Sequence, residues 1–200
     1  MFSSVSRRVL SAGAACVLGV SAVLALQAAT AAPARKPTLA EEKPTGQEAI
    51  ERGGYLVRLG GCNDCHTPGY FLGKPDHSRY LGGSDVGFEV PGLGTFVGPN
   101  LTPDRETGLG DWTRAEIVAA IQTGVRPDGR VLAPVMPWHA FAELTKSDMG
   151  AVVDFLASLT PVTRKVSGPF GPEEKADVFV MRIVPPDAGE TPAEGRAEVE

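Results

Sequence analysis

The chain is poor in sulfur and imidazole: its 200 residues hold three cysteines, three histidines and four methionines. That scarcity excludes a great deal. Three cysteines cannot build the multi-bridge framework that staples small secreted domains. Basic side chains are also short, with 19 Lys and Arg against 24 Asp and Glu and a formal charge of −5. Nucleic acid rewards clusters of Lys and Arg, so no nucleic-acid partner is expected. A phosphate-cradling Gly-rich loop, a paired-carboxylate motif and a Ser-His-Asp arrangement are all missing, and no segment repeats another. Glycine and proline are plentiful instead, at 24 and 17 residues, which points to many turns. The length suits one domain with extensions.

The N-terminus stands apart from the rest. Arg7 and Arg8 precede a small-apolar run from Val9 to Leu26, and Ala29-Thr30-Ala31 forms an A-x-A cleavage pattern. Residues 1–31 therefore read as a secretory signal peptide. The rival reading is an uncleaved membrane anchor, because the run approaches the roughly 18–20 residues that span a bilayer. Cleavage would take Arg7 and Arg8 and no acidic residue, moving the formal charge from −5 to about −7. It would also take Cys16, leaving Cys62 and Cys65 in an exported chain.

Residues 32–47 are polar and contain proline, and read as a flexible lead-in. Ile50, Tyr55, Leu56 and Leu59 recur at helical spacing, predicting a helix over 47–59 that Gly60-Gly61 ends. From residue 67 to 112 the chain is loop-rich, and "VGFEV" and "TFVG" around "PGLG" predict a short β-hairpin. Thr113 and Glu116 make a capping box for a second helix, with Gly124 as its stop. Thr145 and Asp148 open a third, whose stripe of Met149, Val152, Val153 and Leu156 reads as core. Residues 163–200 form an acidic, Pro-rich extension. From Gly171 onward it is expected to be a solvated tail, interrupted by the strand-like "ADVFVMRIV".

The informative stretch is "GGCNDCHT", residues 60–67. Zinc needs four well-spaced ligands, and here His66 directly abuts Cys65. A redox dithiol expects its C-x-x-C at a helix start beside a parallel sheet, and no strand–helix alternation surrounds this one. C-x-x-C-H is the attachment signature of a covalent haem. Two thiols add across the vinyl groups, and the histidine that follows is delivered to the iron. That reading consumes both cysteines of the exported chain.

"GGYLVRLGGCNDCHT", "VGPNLTPD", "GVRPDGRVLAPVMPW" and "LTKSDMGAVVDFLASL" together resemble the successive motifs of a monohaem class I c-type cytochrome. The closest likeness is to the cytochrome modules of bacterial periplasmic alcohol, gluconate and aldehyde dehydrogenase complexes, and it covers residues 48–162. The resemblance implies an all-α fold, a small helical domain around one covalent haem c, with a loop-rich insertion carrying the hairpin. It implies Cys62 and Cys65 as attachment points, His66 as the proximal ligand, and the Pro99 carbonyl as acceptor of the His66 Nδ1–H. The sixth ligand must come from Met136, Met149, Met181, His77 or His139, and the resemblance implies Met136, which "APVMPW" holds in an extended loop. Tyr80, Trp112, Arg126, Arg130 and Trp138 are polar-tipped candidates for the haem propionates.

A doubly ligated iron has no open position, so the expected role is electron transfer and not catalysis. The expected protein is a periplasmic carrier taking electrons from a dehydrogenase to a terminal oxidase or another cytochrome. Two readings stand beside it: a dedicated subunit of a dehydrogenase complex, and a haem enzyme or gas sensor with an open iron site.

Overall fold

The computed structural model describes residues 35–40 and 45–184. The N-terminal signal or anchor and the last part of the acidic extension lie outside the described residues. Among the described residues no helix is long and apolar enough to cross a membrane.

Helix α1 spans Gln47–Leu59 and α2, of five residues, spans Cys62–His66. Gly60 closes α1, and Gly61, at φ 66°, takes the left-handed turn that lets α2 start at once. A single 3₁₀ turn follows at His77–Arg79, its N-terminus capped by Asp76. Strands β1 (Val86–Val90) and β2 (Gly94–Val97) pair antiparallel, with Phe88 opposite Phe96. Helix α3 is Arg114–Thr123, α4 Trp138–Phe141 and α5 Lys146–Ser158. Strand β3, Phe179–Arg182, pairs parallel to β1 and completes a sheet of order β2-β1-β3.

The helix ends follow from their caps. Thr113 Oγ1 accepts the Glu116 amide while the Glu116 carboxylate accepts the Thr113 amide at 2.7 Å, a reciprocal capping box. At the other end of α3, Gly124 adopts φ 73° and donates its amide to Ala120. Thr145 caps α5 through the Asp148 amide at 3.1 Å.

The core lies where α1 and α5 cross, with α3 against them. Met149, Val152, Val153 and Leu156 of α5 are buried together with Val57, Ile117, Leu81, Leu109 and Leu39. The inner face of α1 is Gly53, Gly54 and Val57, whereas Tyr55 and Leu59, which helped to mark the helix in the sequence, face solvent. A Cβ on Gly53 would stand 1.9 Å from the Ala151 carbonyl oxygen. The two helices therefore meet backbone to backbone at this point. At their entrance, Arg114 pairs with the buried carboxylate of Asp154, which also accepts the Thr45 hydroxyl at 2.5 Å.

Two stretches outside the helices marked by the sequence are ordered against the domain. In the lead-in, Thr38 and Leu39 are buried, and the Leu39 amide donates to Trp112 O at 2.7 Å. A lone leucine among charges leaves no compositional trace, yet it fills a core position. At the domain's end, residues 162–170 run as a strap along it, and the strand-like stretch beyond joins the sheet as β3. The backbone partners for β3 come from β1, so its exposed side chains do not decide its pairing.

Candidate functional site

In α2 the thiols of Cys62 and Cys65, three residues apart, stand on one helical face with His66 just beyond. All three line one cavity of about 1000 Å³. Its walls are mainly apolar, drawn from α1 (Leu56, Val57), α3 (Ile117, Ile121) and α5 (Val152, Leu156). The insertion between His66 and Pro99 adds Phe71, Phe88 and Phe96, the first two in edge-to-face contact.

His66 is buried, and its Nδ1 lies 2.7 Å from the Pro99 carbonyl oxygen. A carbonyl can only accept, so Nδ1 carries the proton and Nε2 is left with its lone pair. Burial lowers the pKa of this imidazole, against the opposing pull of the Pro99 bond, which favours a neutral ring able to act as a donor to a metal. Burial pushes both thiols up, Cys62 to about 11. A reactive dithiol needs the reverse, a depressed pKa in an electropositive setting. Among the described residues no group of three or more His, Cys, Asp and Glu side chains is arranged to hold a metal ion, so the zinc reading finds no ligand set.

Gly98 explains how Pro99 comes so near. A Cβ there would lie 1.8 Å from the Cys65 carbonyl oxygen and 3.3 Å from His66 Nδ1. The 98–100 backbone lies flat on the motif because it has no side chain at this point. Gly98→Ala is expected to push this segment off α2 and break the His66–Pro99 bond, lowering the melting temperature by several degrees. An alanine variant that melts with the parent would refute this.

On the loop between α3 and α4, Met136 lines the same cavity with Ala133, Val135 and Pro137. Its amide donates to Ala133 O at 3.0 Å and its carbonyl accepts from Trp138 N at 2.8 Å, which fixes the loop's turn. Of the other sulfur and imidazole candidates, Met149 is buried in the α5 core and Met181 is exposed on β3. His77 and His139 are also exposed, the latter against the Trp138 ring. Among the described residues, His66 and Met136 are the one histidine and the one methionine on the cavity wall.

The five polar-tipped candidates divide. Trp112, Arg126 and Arg130 line the cavity, and the Arg126 guanidinium sits 4.9 Å from the Trp112 ring centroid. Burial and the neighbouring Arg126 both lower the Arg130 pKa, the mark of two cations gathered at one place. Tyr80 and Trp138 do not line it: Tyr80 packs beside the core, and Trp138 covers Gly124. Sequence reading missed a further wall entirely, strap residues 165–169. One valine among a lysine, a serine, a glycine and a proline gives no hydrophobic pattern that could have found them.

No family model matches the chain. Over 163 residues it is 32% identical to the cytochrome c subunit of a quinone-dependent alcohol dehydrogenase of Gluconacetobacter polyoxogenes, a match that covers 78% of this chain and 33% of the relative. It is 32% identical over 118 residues to the fructose dehydrogenase cytochrome subunit of Gluconobacter japonicus, covering 58% of this chain and 23% of that one. A dihaem c-type cytochrome of Cereibacter sphaeroides is 30% identical over 138 residues, with coverage of 66% and 42%. The chain thus spans about a third of the alcohol dehydrogenase subunit it matches. It is a homologue of cytochrome c subunits of dehydrogenases.

Proposed function

We propose that the chain is a periplasmic c-type cytochrome of one haem, which passes single electrons from a dehydrogenase to a terminal oxidase or another cytochrome. The observation that carries this reading is the shared cavity. Attachment thiols, an imidazole with its Nε2 lone pair free and a thioether all line one large apolar space. At about 1000 Å³ that space is at the top of the roughly 300–1,000 Å³ usual for cofactor sites. Arg126, over the Trp112 ring, and Arg130 line the cavity and supply charge-assisted donors for carboxylates. The residues fit a haem with two propionates.

Each residue then has a task. The Cys62 and Cys65 thiols would hold the haem by adding across its two vinyl groups, each S–H giving a thioether C–S bond and a new C–H. His66 offers Nε2 while Pro99 holds the proton on Nδ1 and sets the ring plane. Met136 offers its thioether from the other loop, and thioether ligation favours the ferrous state. The apolar walls keep water from the cofactor, which favours the less charged state further. When bound, haem c supplies reversible one-electron Fe(III)/Fe(II) chemistry. The chain contains one C-x-x-C-H motif, enough for one such group.

The relatives favour a second form of the same reading, a dedicated subunit of a dehydrogenase complex. Stoichiometric copurification with a cofactor-bearing partner distinguishes subunit from carrier. The basic test is chemical. The exported protein, denatured and extracted with acidified organic solvent, is expected to keep its pigment and to carry the mass of one haem, while Cys62→Ser with Cys65→Ser loses both. Pigment that extracts freely from the parent protein would overturn the proposal.

A further inference from the structure

We infer that the C-terminal strap, residues 162–170, is the structural element that governs how much water reaches the cofactor and thereby raises its midpoint potential. The inference rests on the haem reading above and deepens it. Five consecutive strap residues, 165–169, line the cavity, although they lie beyond the helices that form its core.

The strap is held too firmly to be an incidental cover. Its first residues are fixed to a buried polar turn: Asn100 Nδ2 donates to Val162 O at 2.6 Å, and Thr163 Oγ1 donates to Asp104 at 2.8 Å. Asn100 and Asp104 are themselves buried. Arg164 reaches across to the Gly83 carbonyl at 2.7 Å, and the Gly83 amide donates to His66 O at 2.8 Å. Val166 packs on the bare face of Gly83, where a Cβ would lie 2.3 Å from its methyl. The far end is clasped to β2 by two hydrogen bonds between Phe170 and Thr95, each 2.9 Å.

So the strap is tied at one end to the 100–107 turn and to Gly83, which in turn bonds the His66 carbonyl, and at the other end to the hairpin, and the residues between line the cavity. Water admitted along that side would solvate the ferric state, which bears the extra charge, more than the ferrous one. Solvent exposure is one of the levers that set such potentials.

The test compares Arg164→Ala and the milder Val166→Ala with the parent protein. Three quantities are read: covalent pigment after denaturation, midpoint potential, and the solvent-perturbation spectrum of the Soret band in ethylene glycol. Both variants are expected to keep covalent pigment, to shift the potential downward and to enlarge the solvent-induced band shift. A strap that only stabilises the fold would lower the melting temperature and leave the potential and the band shift alone, and that result would overturn the inference. Should Arg164→Ala fail to fold, Val166→Ala decides by the same readings. Loss of covalent pigment from the parent would instead refute the haem assignment, independently of the strap.

Discussion

Met136→Ala keeps its pigment and loses its potential. Removing the thioether leaves the attachment thiols and His66 untouched, so acid extraction still finds haem on the polypeptide. The midpoint potential falls by on the order of 0.1 V or more, within the roughly 0.8 V over which axial ligation moves haem potentials. The emptied position also binds added imidazole in the ferric protein and CO in the ferrous one, which the parent resists at neutral pH. Met149→Ala is the control. That side chain is 1% exposed inside the α5 core, so its truncation is expected to cost about 2–5 kcal/mol of stability with little change in potential. A fall in potential confined to Met149→Ala or Met181→Ala would show Met136 to be a packing residue. Rapid CO binding to the parent itself would favour the sensor or enzyme reading over the carrier.

Gly53→Ala is expected to be the most damaging single-methyl change in the helical core. In an open helix the substitution would help, since glycine costs about 1 kcal/mol relative to alanine. Here the new Cβ would lie 1.9 Å from the Ala151 carbonyl oxygen and 2.8 Å from Phe155 Cβ. A backbone oxygen cannot rotate away, so α1 and α5 must separate and the core beneath them loosens. The loss should reach or exceed the top of the roughly 1–3 kcal/mol usual for overpacking. For a domain of this size that lowers the melting temperature by about 10 °C. Gly54→Ala meets the Phe155 ring edge at 2.9 Å, a side chain that can swing, and should cost less. Thermal unfolding of both variants, followed by circular dichroism, gives the comparison. Equal losses would argue against the backbone contact as the cause.

These two residues also mark what could be read from the chain alone. Spacing singled out the cysteines and His66 as candidates, because attachment chemistry allows so little variation in it, and the three line one cavity. The capping box at Thr113 and the α5 stripe were legible for similar reasons, being local patterns with local causes. The helix α1 was legible in extent but not in orientation. Its buried face is two glycines and a valine, and a hydrophobic pattern cannot register a contact made by leaving side chains out. Gly98 escaped notice on the same ground. The strap was hidden for the opposite reason. It is held by Asn100, Thr102, Asp104 and Thr107, whose part-buried hydrogen bonds look in sequence like an ordinary polar loop.

Strand β3 has a consequence for how the molecule breathes. All four of its residues are exposed, and one neighbour supplies its whole ladder, with an exposed Arg182–Glu89 pair spanning 93 positions of chain. Little free energy opposes its release, whereas undoing the α1–α5 crossing dismantles the core. Amide protons of β3 should therefore trade with deuterium through a shallow, partial unfolding long before those of α5. On the proposed haem reading, such a domain would fray at one margin again and again while a cofactor tethered by two covalent bonds stayed aboard.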